Sequence, residues 1–132
     1  MASSPKRFRL RSQPSRQEQN RSFDNRRGSA RERGYDTRWD KAARSHRRRH
    51  PLCRGCEAAG FVVAAELTDH VEPHKGDQAK FWDTSHWQSS CRWHHDVVKQ
   101  RLELMWLRGE IALADLWLDS PVALRLAEQL RQ

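Results

Sequence analysis

Between Thr68 and Lys99 the chain carries Asp69-His70, His74-Lys75, His86 and Cys91-Arg92-Trp93-His94-His95, five of its seven histidines, and a Cys53-x-x-Cys56 pair stands upstream. Thiolates and imidazoles together suit a borderline metal ion. One carboxylate beside imidazoles suits a divalent ion that keeps coordination positions open. The residue types therefore point to two metal sites of different purpose, one that staples the fold and one that does chemistry.

Cys53 and Cys56 need two further ligands. Cys91 and His94 repeat the two-residue gap, which makes Cys-x2-Cys, 34 intervening residues and Cys-x2-His. Four such ligands describe one tetrahedral structural Zn2+. Gly55 is expected to allow the tight turn between the first two thiolates. Two other ligand sets remain open at this stage: His46 and His50 on the first knuckle, or His95 beside Cys91 in place of His94. Adjacent helical residues diverge by about 100°, so His94 and His95 serve different partners. If His94 closes the zinc site, His95 is aimed elsewhere, and Asp69 is its natural companion as ligand of a catalytic divalent ion. Taken singly, Asp69, His70 and His95 also read as ordinary polar surface residues.

The elements that must position these groups follow from capping and periodicity. A helix is predicted from Asp36 to His50, with Asp36 or Thr37 near its N-cap, Trp39 and Ala42-Ala43 on one side, Arg44, Arg47, Arg48 and Arg49 on the other, and Pro51 as its stop. Phe61 to Leu67 reads as a strand that Thr68 to Val71 extends. Pro73 to Gln78 is a loop, and a second short strand is expected near His86-Trp87-Gln88. Val97, Val98, Leu102, Met105 and Trp106 give a helix from Arg92 to Arg108, stopped by Gly109. Glu110 to Leu118 is a short helix or turn. Ser120 caps a last amphipathic helix with Pro121 at its first position. Trp87, Trp93 and Trp106 are expected to pack, leaving Trp39 or Trp82 to stack on a base.

Charge is unevenly placed. Residues 1–54 carry 17 Lys/Arg against 5 Asp/Glu, and residues 55–132 carry 8 against 12. Residues 1–33 have almost no apolar side chains and read as a disordered basic tail. A basic arm on a near-neutral body suggests a polyanionic partner, because each phosphate it neutralises releases condensed counterions. Only 36% of residues are hydrophobic, many of them after residue 100, so the central region needs a staple to fold. Three cysteines argue against a disulfide framework, and neither a secretory signal nor a membrane span is visible. A reducing cytoplasm, with cysteine used as metal ligand, is the economical expectation.

Asp69-His70-Val71, Pro73-His74, His86-Trp87-Gln88 and Cys91-x-x-His94-His95-Asp96-x-x-Lys99 together resemble the HNH family of endonucleases, over roughly residues 34–100. The nearest subgroup, common among phage proteins, adds a zinc-binding cysteine quartet. The resemblance implies an α+β fold, a small ββα-metal (His-Me) finger with a zinc knuckle over residues 34–109, followed by a helical extension over 110–132. It implies Asp69 and His95 as ligands of the catalytic ion (Mg2+, Mn2+, Ni2+ or Zn2+) and His70 as general base. His86 stands where the family has a middle Asn that fixes the loop carrying the base, His94 stands for a fourth cysteine, and Ser90 replaces a hydrophobic residue. The implied activity is hydrolysis of DNA phosphodiesters with low sequence specificity, and the implied partners are DNA and phage packaging proteins of the terminase or portal kind. His74, Lys75, Lys99, Arg47 and Arg48 are the expected DNA-binding side chains. Asp69 and His70 address two sides of one phosphate only if the strand ends or bulges there, so an irregularity is expected.

Overall fold

The computed structural model describes residues 33–132, so the basic tail expected over residues 1–33 lies, Arg33 apart, outside the described residues. Asp36–Gln132 forms one compact unit. Its first helix, α1 (Thr37–Arg49), starts where Asp36 accepts a hydrogen bond from the Trp39 amide at 3.0 Å. Three arginines in its last turn, Arg47, Arg48 and Arg49, complement the negative end of the helix dipole. Trp39, Ala43 and His46 recur at helical spacing and form the buried face. A short helix, α2 (Arg54–Ala58), follows at the first Cys pair.

The sheet is a two-stranded antiparallel ribbon of β1 (Leu67–His70) and β2 (Trp87–Ser90). Both strands differ from the sequence expectation. Phe61–Glu66 is no part of β1; it makes a single bridge, Leu52 to Ala64, and leaves Phe61, Val62 and Val63 exposed. The reason is the partner's length: past Ser90 the chain turns into Cys91 and a helix, so little is left for the upstream residues to pair with. β2 begins one residue later than expected, after a 3-10 turn (Thr84–His86) that Asp83 caps. One helical turn, α3 (Gln78–Phe81), capped by Asp77, stands at the end of the segment read as loop.

Register runs from Leu67 opposite Ser90 to His70 opposite Trp87. No bulge interrupts these pairs, and β1 simply ends at His70. Side chains therefore alternate cleanly between two faces. One face meets α1: Thr68 donates to the Ala43 carbonyl at 2.9 Å, Ser89 donates to that of His50, and the His70 ring stacks on Trp39 at 4.7 Å. The other face carries Asp69 and Gln88. Gln88 accepts from the Leu118 amide at 2.9 Å and donates to the Leu116 carbonyl at 3.3 Å.

The helix expected over Arg92–Arg108 starts at Arg92, widens into a π-helical stretch, His94–Lys99, and continues as α4 (Gln100–Leu107). Beyond it come a 3-10 turn (Leu113–Leu116) and α5 (Pro121–Arg131), where Ser120 accepts from the Ala123 amide at 3.0 Å. Residues 110–132 are woven into the main core: Val71, Val98 and Leu102 pack with Leu116, Leu118, Ala123 and Ala127. Trp93 and Trp106 lie partly buried against it. No helix among the described residues is long and apolar enough to cross a membrane.

The packing of α1 makes stability depend on pH. Burial, reinforced by the charges of His50, Arg49, Arg47 and Arg54, lowers the pKa of His46 from 6.5 to about 4. Between those values the unfolded chain holds a proton on this ring that the folded chain lacks, so stability falls as pH is lowered through that window. Denaturant unfolding at pH 7 and pH 5 is expected to show a smaller difference for His46→Gln than for the unsubstituted chain. Equal differences would remove His46 as the cause.

Candidate metal centre

Cys53 caps the N-terminus of α2, Cys56 lies within it, Cys91 directly follows β2, and His94 opens the π-helical stretch. All four are buried and their ligand atoms lie within 4.8 Å of one another. His94 Nδ1 stands 3.5, 3.4 and 3.4 Å from the sulfurs of Cys53, Cys56 and Cys91, and Cys56 and Cys91 are 3.8 Å apart. A tetrahedron with Zn–S and Zn–N bonds of ordinary length has edges of about 3.8 Å between sulfurs and about 3.5 Å between sulfur and nitrogen. The cluster could therefore hold a structural metal ion such as zinc, and among the described residues it is the one group of three or more ligand side chains that converges this way.

The thiols explain why a cation belongs there. Burial opposes ionisation of Cys53, but hydrogen bonding with His94 and the backbone of Cys91 and Cys56 outweighs it and brings the pKa down to about 6. Burial and the neighbouring Cys53 then push Cys56 up to about 12, and Cys91 is raised chiefly by burial. Three thiols this close cannot all ionise without a positive charge among them. His46 and His50, weighed as rival ligands, pair with each other instead (rings 4.9 Å apart), and His46 sits 3.4 Å from Ser89. Gly55 also has a different reason from the expected turn. A β-carbon there would lie 2.3 Å from Cδ2 of His94, so the ligand ring packs directly on the glycine.

His95 diverges from His94, as adjacent residues should. Its Nδ1 is 2.8 Å from Asp96 and its Nε2 is 3.8 Å from Oδ1 of buried Asp69. The other carboxylate oxygen of Asp69 accepts from Gln88 at 2.9 Å and from Lys99 at 3.0 Å. Lys99 corrects the sequence expectation. Rather than facing solvent and DNA it is wholly buried, and its ammonium also donates to Glu103 and to the His70 carbonyl, both at 2.8 Å. Two carboxylates around one ammonium leave the site with an excess negative charge.

The remaining candidates scatter. His70 is buried on the α1 face, its Nε2 3.0 Å from the Phe81 carbonyl, and burial first, then His74, lowers its pKa to about 4. His74, expected on the surface, is buried too; its ring packs on Phe81 at 4.7 Å and its Nδ1 accepts from the Gly76 amide at 3.0 Å. Lys75 is exposed, with a left-handed φ of 49°. His86 ties its turn to the end of β1 by main chain, its carbonyl accepting from the Val71 amide at 2.8 Å, while its ring bonds Asp83 within the turn at 3.0 Å. Arg47 donates to Thr68 at 3.2 Å, and Arg48 is exposed. Trp39 is buried, whereas Trp82 lies 4.1 Å beneath the Arg38 guanidinium. Gln88 and Glu103 have roles at this site that the sequence reading does not assign. The four-residue spacing of Lys99 and Glu103 was the available signal for one of them.

No family model, curated protein or solved structure matches this chain.

Gly55→Ala is expected to release zinc at least as readily as Cys53→Ser, read as metal content after gel filtration, because the added methyl collides with a ligand ring. Full retention of metal would contradict that packing. Lys99→Met is expected to cost about 3–5 kcal/mol in urea unfolding, since it leaves Asp69 buried without its cation. Asp69→Ala should cost less, because Lys99 keeps Glu103 and the His70 carbonyl. The reverse order would show that the ammonium is not what holds the carboxylate.

Proposed function

We propose that the chain is a metal-dependent endonuclease of the HNH kind, hydrolysing phosphodiester bonds in DNA with low sequence specificity. The observation that carries this reading is the approach of Asp69 Oδ1 and His95 Nε2 to 3.8 Å, a carboxylate from a strand end and an imidazole from a helix. Ligand bonds of about 2.1 Å each span that separation on one divalent ion. Such an ion, when bound, supplies Lewis acidity to a phosphate and its leaving oxygen. Gln88 and Lys99 fix the carboxylate so that Oδ1 is the oxygen turned toward His95.

In-line displacement puts the attacking water and the leaving oxygen on opposite sides of phosphorus. A base and a metal site on opposite faces of a ribbon suit that requirement where the ribbon stops, and β1 stops at His70. His70 is the proposed base. Its low pKa keeps the imidazole neutral at pH 7, ready to accept a proton though only weakly basic. Lys75, Arg48 and the basic arm would contact phosphates, which position a duplex without reading its sequence.

A second reading has its own support. Lys99 already neutralises part of Asp69, and His70 is packed among Trp39, Phe81 and His74. Both features suit a zinc-stapled nucleic-acid-binding module without catalysis. Incubating supercoiled plasmid with the full chain and Mg2+, Mn2+ or Ni2+ separates the two. Nicking that EDTA abolishes, and that falls by about 100-fold or more in His70→Ala and His95→Ala, is expected. DNA binding without nicking under every metal would leave only the second reading.

A further inference from the structure

Away from the Asp69–His95 pair, the C-terminal end of α1, the Cys knuckle, the turn before β2 and Trp117 enclose a cleft of about 770 Å3. Its volume falls in the range of roughly 300–1,000 Å3 usual for small-molecule sites. Three features of its lining bear on what it would hold.

The first is charge. Arg49 and His50 line the cleft, are exposed, and form no ion pair with an acidic group among the described residues. Arg47 and Arg48 stand beside them on the same turn of α1. Burial first, and then these charges, keep His46, which also lines the cleft, unprotonated. The negative end of the α1 dipole and the Glu57 carboxylate, the one acidic group in the lining, oppose an anion here, but together they amount to about one and a half charges against the three of Arg47, Arg48 and Arg49. An arginine with no internal partner offers a planar fork of donors that matches a phosphate.

The second is a flat surface. The Arg54 guanidinium lies over the Trp117 ring at 4.3 Å and is tied to Asp119 at 3.0 Å. An ordered guanidinium plane on an indole is a platform on which a nucleobase stacks. The third is position. Gln88, part of the cleft wall, is the same side chain that donates to Asp69.

We propose that this cleft binds one nucleotide unit of a nucleic-acid strand, its phosphate on Arg49 and His50 and its base on the Arg54–Trp117 platform. An acidic peptide could satisfy the cations but brings nothing for the platform. The inference deepens the nucleic-acid reading above, yet it concerns binding alone and holds without catalysis.

The test is an NMR titration of the zinc-loaded full chain, without added Mg2+ or Mn2+, against 5′-dAMP, deoxyadenosine and inorganic phosphate in turn. Expected are shifts at the Arg54, Ser85 and Ser89 amides and 5′-dAMP binding about tenfold tighter than either half, within what one base stack contributes. Arg49→Gln, at an exposed position that spares the core, is expected to weaken 5′-dAMP about fivefold or more while leaving deoxyadenosine unchanged. Trp117→Leu should abolish the advantage of 5′-dAMP over phosphate. No shift at these amides with millimolar 5′-dAMP would overturn the site. So would phosphate binding as tightly as 5′-dAMP, which means a plain anion patch. Plasmid nicking without 5′-dAMP shifts sinks the cleft alone, whereas shifts without nicking sink the nuclease reading alone.

Discussion

Three sulfurs and one imidazole nitrogen, gathered within 4.8 Å, join the segment before the ribbon to the segment after it. Cys53 and Cys56 precede β1, and Cys91 and His94 follow β2. A ribbon of two four-residue strands is too short to persist on its own, and the residues upstream of β1 contribute one bridge. A cation shared by the four ligands would close that gap and relieve the mutual suppression of the thiols. Asp69 and His70 are carried by the ribbon, and His95 and Lys99 by the helical stretch that holds His94.

From that fixed ribbon, alternation of side chains sorts the chemistry. The α1 face collects rings: Trp39 touches His70, Phe81, Trp82 and Trp87, and His74 packs on Phe81. The opposite face collects charge, with Asp69 and Glu103 around the single ammonium of Lys99. Leu116 and Leu118 hold Gln88 through their backbone, so the C-terminal segment reaches the site through one amide side chain. Among the described residues no buried side-chain nitrogen or oxygen lacks a partner, which is what a charged group in so small an interior requires.

Polar order of this kind also ties the candidate metal pair to the cleft. Gln88 belongs to both, and the basic turn of α1 stands over β2 where Ser89 donates to the His50 carbonyl. A nucleic acid reaching one place would thus lie near the other, with phosphate contacts supplied by the surface arginines of α1.

Much of the local structure was legible beforehand. Asp36, Ser120, Pro51 and Gly109 mark helix ends through bonds and clashes that involve residues only a few positions away, and the Cys-x2-Cys and Cys-x2-His spacings mark the two halves of the zinc-type cluster in the same local way, while their meeting across more than thirty residues belongs to the fold. What the chain could not show by itself was which charged or polar side chains turn inward. Lys99 and His74 both read as surface groups, because lysine and histidine are usually solvated. Their burial rests on acceptors and rings contributed from elsewhere: Asp69 lies thirty positions before Lys99, and Phe81 packs on His74 across a turn. The apolar run Phe61-Val62-Val63 similarly has strand-like residues, yet a strand needs a partner, and tertiary structure supplies one only from Leu67 onward. Spacing settles what neighbours along the chain do to one another; only the folded molecule decides which distant groups meet, because burial of a charge is favourable solely where its counterparts have already been brought.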